Sequence, residues 1–88
     1  METAVKICQE DNVVVALKDL KQGDRINIDG ISIALTESVK FGHKIAIRDI
    51  GKGDPVIKYC ESIGVATADI RKGEHVHIHN LQSNRARR

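Results

Sequence analysis

The fold is decided by a nine-residue stretch, Ala46-Ile47-Arg48-Asp49-Ile50-Gly51-Lys52-Gly53-Asp54, which occurs in related form at two other places in the chain. The other copies occupy residues 16–24 and 66–74, and all three share the pattern Ala-x-x-Asp-aliphatic-x-x-Gly-acid. An aspartate can accept hydrogen bonds from the amides of a turn, and glycine adopts the positive φ that many tight turns require. We therefore interpret each copy as a corner between two strands, with its aliphatic residue packed into the core.

Short alternating apolar segments surround these corners. Asp29-Gly30 separates two of them and is a strong signal for a two-residue hairpin turn, which predicts that Ile28 lies opposite Ile31 and that Ile26 lies opposite Ile33. The predicted strands are residues 5–8, 13–17, 25–28, 31–35, 44–48, 55–59, 63–67 and 75–79. No segment keeps a helical period over the roughly 11 residues that an amphipathic helix needs. The sequence therefore predicts an all-β domain of short, strongly bent strands.

Composition limits both the size of the core and the class of partner. The 88 residues contain one Phe, one Tyr and no Trp, so the core must consist mainly of aliphatic side chains. The formal charge is +2, and removing the charges of Arg85, Arg87 and Arg88 leaves −1 for the rest of the chain. A nearly neutral body with so few aromatic residues argues against nucleic-acid binding. We predict one domain over residues 1–82, followed by a basic tail over residues 83–88.

The sequence also predicts the cellular location of the protein and the redox state of its two cysteines. It contains no apolar run that fits a signal peptide or a membrane span, which predicts a cytoplasmic protein without a membrane partner. The two cysteines, Cys8 and Cys60, are far apart and lack metal-site spacing. In the cytoplasm such residues are expected to be reduced, half-buried hydrophobic groups, with neither a disulfide nor a metal role.

The four histidines fall in two short segments, Gly42-His43-Lys44 and His75-Val76-His77-Ile78-His79-Asn80. If residues 75–79 form a strand, the three histidines project from one face and Val76 and Ile78 project from the other. That pattern predicts a polar site opposite a buried face. For an arbitrary sequence, a solvent-facing strand without a ligand is the commoner explanation of such a pattern.

Much of the chain resembles the N-terminal SAF domain of altronate dehydratases. Beside an opening Asp11-Asn12-Val13, the resemblance rests on four segments, Gly42-His43-Lys44-Ile45-Ala46-Ile47-Arg48-Asp49-Ile50, Gly53-Asp54-Pro55-Val56-Ile57-Lys58-Tyr59, Ile63-Gly64-Val65-Ala66-Thr67-Ala68-Asp69-Ile70 and His75-Val76-His77-Ile78-His79-Asn80-Leu81. The resemblance implies a β-clip fold. It also implies a large catalytic dehydratase region, either fused to this domain or present as a separate subunit. Cys60 departs from the pattern, because the resemblance leads us to expect Gly there.

The resemblance further implies a hydro-lyase of hexuronate catabolism that acts on a sugar acid. The proton next to the carboxylate is removed, an enolate is stabilised, and the β-hydroxyl leaves as water. For altronate the product would be 2-dehydro-3-deoxy-gluconate. Such chemistry needs a base, an acid and an electrophile for the enolate. The resemblance implies a divalent metal for that last role, with Fe²⁺ expected and most of its ligands on the catalytic region.

Six residues are predicted to form this chain's part of the site. His43 and Lys44 are predicted as catalytic residues, since an imidazole transfers protons near neutral pH and an ammonium group can pair with a substrate carboxylate. His75 and Asn80 are predicted to contact the substrate, and His77 and His79 to bind the metal. Because one strand cannot complete such a site, we expect the isolated chain to be inactive.

Other functions remain open at this point. Galactarate dehydratase and the small subunit of a sulfolactate sulfo-lyase are alternatives within the same family. A stand-alone module that binds a carbohydrate or a metal, and an assembly module that forms homo-oligomers, are alternatives outside enzymology. The sequence does not choose among these substrates or partners.

Overall fold

The computed structural model describes residues 3–84, and this part of the chain contains nine short strands. They are β1 (Ala4–Val5), β2 (Val13–Ala16), β3 (Arg25–Ile28), β4 (Ile31–Ala34), β5 (Lys44–Ala46), β6 (Pro55–Lys58), β7 (Glu61–Ala66), β8 (His75–Val76) and β9 (Leu81–Ser83). The all-β prediction is confirmed, and the short bent strands agree with a β-clip fold. Within residues 3–84 no helix is long and apolar enough to cross a membrane.

The strands form three small antiparallel sheets. Their orders are β1-β2-β5-β8, β3-β4 and β6-β7-β9. The hairpin prediction is confirmed, since Ile28 pairs with Ile31 and Ile26 with Ile33 across Asp29-Gly30, whose φ angles of 53° and 79° suit such a turn. Of the four isoleucines in these pairs, Ile31 is exposed.

The corners pack in two pairs, and there are four of them in the part of the chain that the structure describes. The predicted corner at residues 16–24 pairs with an unpredicted one at residues 35–43, and the predicted corners at 46–54 and 66–74 pair with each other. Equivalent backbone hydrogen bonds define both pairs, each from a glycine amide to a carbonyl of the partner corner. In the first pair Gly23 donates to Leu35 and Gly42 donates to Ala16. In the second pair Gly53 donates to Ala66 and Gly73 donates to Ala46. The aliphatic corner residues also form matching bridges, Leu20 with Val39 and Ile50 with Ile70.

Carboxylates fasten the corners in two ways. The acid at the end of a corner accepts a hydrogen bond within its own turn, as Asp54 does from the Gly51 amide at 3.2 Å. The aspartate earlier in the pattern instead accepts from the partner corner. Asp49 accepts from the Lys72 amide and Asp69 accepts from the Lys52 amide, both at 2.9 Å. The prediction that the repeated aspartate closes its own turn is therefore wrong, because this aspartate joins two corners.

Two hydrophobic clusters lie on either side of the central strands β2 and β5. Because side chains alternate along a strand, Val14 and Ile45 enter one cluster while Val13 and Ala46 enter the other. These four side chains are at most 1% exposed. The aliphatic corner residues are buried in the same clusters, as predicted.

The last predicted strand is wrong in its extent. It was expected over residues 75–79, but β8 ends at Val76 and the chain turns at residues 77–80 before β9. As a result Ile78 is 85% exposed instead of buried. Ser83 ends β9, whereas Arg85, Arg87 and Arg88 of the predicted tail lie outside the described residues.

The expectation of two reduced cysteines is also wrong for this structure. Cys8 and Cys60 form a disulfide, with Cα atoms 5.4 Å apart despite a sequence separation of 52. Cys60 lies in the two-residue turn between β6 and β7, where it and Tyr59 have φ angles of 67° and 57°. This pairing could not be predicted from the sequence, because Cys8 and Cys60 come together only when the N-terminal segment docks on that turn.

Among the glycines, Gly64 has the least room for a side chain, and it lies in the pairing of β7 with β9. A Cβ atom at this position would overlap the backbone carbonyl of Gln82 and the side chain of Leu81. We expect Gly64→Ala to lower the free energy of unfolding by about 3 kcal/mol, because the obstructing atoms belong largely to backbone. Urea unfolding measures this effect.

The matched control for that substitution is Gly23→Ala. Gly23 has a φ of +91° but open space around it, so the control reports only the cost of the left-handed backbone, about 1 kcal/mol. Equal losses in the two variants would contradict the steric explanation for Gly64.

Candidate functional site

Three histidines from distant parts of the chain meet on one surface. We call His43, His75 and His77 the histidine cluster. Their ring centroids are 4.5–5.5 Å apart, and Nδ1 of His43 lies 2.9 Å from Nε2 of His75. At that distance one ring donates a hydrogen bond and the other accepts it. The predicted meeting of the loop histidine with the C-terminal histidines is therefore observed.

The pairing of β5 with β8 brings these rings together. Lys44 pairs with Val76 and Ile45 with His75, so the same register continued by one residue places His43 opposite His77. Val76 is fully buried in the core. Its two neighbours therefore turn their imidazoles away from the core, which is the alternation that the sequence predicted for this short stretch.

Asn80 holds the turn that follows β8. Its Oδ1 accepts from the His77 amide at 3.0 Å, and its Nδ2 donates to the His75 carbonyl at 2.9 Å. The side chain is only 5% exposed. Its amide therefore fixes the backbone of two cluster residues, whereas the sequence predicted contact with substrate.

A second supporting residue, Glu37, was missed by sequence reasoning. Its Oε2 accepts from the His75 amide at 3.2 Å. Glu37 belongs to the corner at residues 35–43, whose pattern is too degenerate to recognise in the sequence. In that corner His43 occupies the position where the other three have Asp or Glu. The imidazole that joins the cluster thus replaces a carboxylate of the repeat.

Burial and repulsion favour neutral imidazoles at His75 and His77. The pKa of His75 is lowered by burial, then by His77 and His43, with Glu37 acting in the opposite direction. The pKa of His77 is lowered by burial, then by His43 and Lys44. Neutral rings have lone pairs that can bind a cation or accept a proton.

Lys44 lies at the start of β5 and lines two adjoining hollows. A cavity of about 590 Å³ includes Lys44, His77 and Ile78, and a neighbouring one of about 640 Å³ includes Lys44, Lys58 and Glu61. Both cavities also include Leu81 and Ser83 of β9, so we treat them as one cleft. Burial, followed by repulsion from Lys58, lowers the pKa of Lys44. The cleft therefore presents cationic groups beside the histidine cluster.

His79 lies at the margin of the site. Its ring centroid is 5.4 Å from that of His75, but its side chain is exposed. The six predicted site residues thus lie in one region of the molecule. Their predicted roles as base, substrate ligands and metal ligands remain predictions.

The donor set of the histidine cluster fits a divalent cation. One nitrogen from each of the three rings lies within 4.8 Å of the others. Imidazole nitrogens that share a tetrahedral zinc at about 2.0 Å lie about 3.3 Å from one another, so the three nitrogens would have to shift in order to share an ion. Three histidines leave a coordination position open, which is typical of catalytic rather than structural sites.

A family model described as the altronate/galactarate dehydratase SAF domain matches residues 2–84. Among characterised proteins, the chain is 43% identical over 84 residues to the altronate dehydratase of Bacillus subtilis, covering 96% of this chain and 17% of that protein. It is 49% identical over 80 residues to the altronate dehydratase of Escherichia coli, covering 91% of this chain and 16% of that protein.

A third relative has a different arrangement. The alpha subunit of (2R)-sulfolactate sulfo-lyase from Chromohalobacter salexigens is 42% identical over 55 residues, covering 62% of this chain and 58% of that subunit. The chain spans about a sixth of the length of the two altronate dehydratases. Because the family model covers nearly the whole chain, this protein belongs to the altronate/galactarate dehydratase SAF domain family.

Proposed function

We propose that the chain is the SAF component of a sugar-acid hydro-lyase, with D-altronate as the first candidate substrate. It would act together with a large catalytic region, as a fused domain or a separate subunit. The observation that carries the proposal is the histidine cluster beside a cationic cleft. The altronate dehydratases to which the chain is similar make altronate the first substrate to test.

Within this function, His43, His75 and His77 would hold a divalent cation. The cation would supply an electrophile for the developing negative charge of the substrate, and Fe²⁺ is the first candidate. In this proposal His43 contributes a lone pair to the cation and cannot also remove the substrate proton. The base would then come from the catalytic region, and His79 would not be a ligand.

Lys44 would orient the substrate through its carboxylate. Lys44 is half-buried and lines the cleft together with His77, where an acidic substrate would also relieve the repulsion from Lys58. Asn80 and Glu37 would act as positioning residues, since they bond the backbone of the cluster. The cleft would be completed by the catalytic region, which would exclude water from the reacting atoms.

Reconstitution tests this function directly. The chain, the cognate catalytic region and their mixture are assayed with Fe²⁺ against altronate, galactarate and (2R)-sulfolactate, following release of product. We expect each part alone to be inactive and the mixture to dehydrate altronate. Full activity of the catalytic region without this chain would contradict the proposal.

A specific observation favours a second candidate substrate. The chain is 42% and 45% identical, over 55 and 47 residues, to two (2R)-sulfolactate sulfo-lyase alpha subunits. A cationic cleft would suit a sulfonate as well as a carboxylate. Turnover of (2R)-sulfolactate alone in the reconstitution would favour this candidate over altronate.

A further inference from the structure

Away from the histidine cluster, the structure contains a second group of reactive side chains. Cys60 is exposed in the β6–β7 turn and Cys8 is half-buried in the N-terminal segment. The carboxylate of Glu10 lies within 4.8 Å of both sulfur atoms. The function proposed above does not use this group.

The two cysteine segments are held together independently of their sulfur atoms. The Asp11 carboxylate accepts from the Cys8 amide at 3.1 Å through Oδ2 and from the Cys60 amide at 2.9 Å through Oδ1. Asn12 adds bonds to the same hairpin, accepting from the Ile57 amide at 2.7 Å and donating to the Pro55 carbonyl at 3.0 Å. Reduced thiols would therefore stay adjacent in the folded protein.

We propose that Cys8 and Cys60 are a reversible thiol–disulfide site that exchanges with a small disulfide such as oxidised glutathione, with Asp11 holding the pair in place in both states. The exposed Cys60 thiolate attacks the glutathione disulfide and releases one glutathione thiolate. Cys8, after losing its proton, then displaces the second one from Cys60. Two thiols and one glutathione disulfide thus become one protein disulfide and two glutathione thiols, so atoms and electrons balance.

The surroundings favour the linked state. Holding two thiols next to each other gives the second step a high effective concentration, as in other preorganised intramolecular reactions. The link also braces the turn between Lys58 and Glu61, which line the cleft.

The test equilibrates the 88-residue chain with glutathione buffers of stepped oxidation, followed by acid quenching, alkylation and mass measurement. We expect one transition between a dithiol and an intramolecular disulfide. Hydrogen exchange should show the Cys60 amide protected in both states. A dithiol that persists in excess oxidised glutathione, a disulfide that survives excess reduced glutathione, or unfolding on reduction would each overturn the proposal.

Substitutions assign the roles. In Cys8→Ser we expect one added glutathione on Cys60, at a rate at least ten times that of Cys8 in Cys60→Ser; equal rates would overturn the order of attack.

Asp11→Asn retains only one acceptor oxygen, and we expect it to lower the equilibrium constant for disulfide formation about tenfold. Asp24→Asn is the matched control, because Asp24 accepts from the Lys21 amide in a distant turn. An unchanged constant in Asp11→Asn, or an equal decrease in Asp24→Asn, would overturn the role of Asp11.

Discussion

Replacing His77 with alanine is expected to weaken binding of Zn²⁺ or Ni²⁺ to the chain by at least about 100-fold, because loss of a direct ligand should cost no less than loss of a residue that supports a ligand, which typically costs about 10–100-fold. His77 has a ring nitrogen within 4.8 Å of one from His43 and one from His75. Its removal leaves two protein ligands, too few for a strong site. Isothermal titration calorimetry measures the affinity, and an anaerobic titration extends it to Fe²⁺, the first candidate in the proposed function.

His79→Ala is the matched control for that experiment. His79 is exposed and lies outside the group of three, so we expect its removal to change the affinity by less than threefold. Equal losses in both variants would instead favour the His77 and His79 pair predicted from the sequence. Urea unfolding of both variants separates loss of metal binding from loss of fold.

The pH dependence of metal binding follows from the lowered pKa values of His75 and His77. Protons compete with a metal only once the pH falls to the pKa of the ligand. Since burial and repulsion hold both pKa values below the ordinary histidine value of about 6.5, affinity should change little between pH 8 and pH 7. A steep decrease within that interval would contradict the neutral state of the rings.

Asp11→Ala is expected to cost about 4 kcal/mol of folding stability, the largest loss among the substitutions considered. Asp11 is fully buried and accepts hydrogen bonds from the amides of Cys8 and Cys60. Alanine would leave both part-buried donors without that acceptor, and each donor left unpaired costs about 1–3 kcal/mol. Urea unfolding with the disulfide intact, and again after its reduction, measures the loss.

The contribution of Asp11 also has a defined pH dependence. Burial alone would raise its pKa, but bonds from the amides of Cys60, Cys8, Tyr59 and Ile7 outweigh burial and lower it. A carboxyl group whose pKa is lower in the folded than in the unfolded state stabilises the fold above about pH 4. That stabilisation is lost as the pH falls through the folded-state value. Asp11→Ala should therefore flatten the acid limb of the stability curve.

Asp24→Ala is the control for the energetic argument. Asp24 is exposed and caps a single turn, so its loss should cost about 1 kcal/mol. If the two variants lose equal stability, the hydrogen bonds of Asp11 are not what attaches the N-terminal segment to the β6–β7 turn.

Local patterns predicted those parts of the fold that depend on neighbouring residues. Asp29-Gly30 fixed the register of β3 and β4, and the repeated glycines marked three corners. The corner at residues 35–43 was missed because Leu35, Ser38 and His43 replace the residues that define the pattern. Its geometry survives because backbone hydrogen bonds and a positive φ at Gly42 maintain it.

The location of the site was predicted better than the hydrogen bonds that hold its backbone in place. A period of two correctly separated Val76 from its neighbouring histidines, but a strand through residue 79 required Ile78 to be buried. The Asn80 side chain ends the strand by bonding backbone groups, a contact that periodicity does not reveal. The Cys8–Cys60 link likewise depends on tertiary docking through Asp11 rather than on spacing.

Strands β2 and β5 contribute side chains to both hydrophobic clusters, and this has a consequence for how the domain unfolds. Val13 and Val14 are adjacent in one strand yet face opposite clusters, so neither cluster can melt without exposing the strand that supports the other. The molecule should then behave as a single cooperative unit rather than as two halves. The histidine cluster, which is held by β5 and β8, would persist until global unfolding instead of fraying locally.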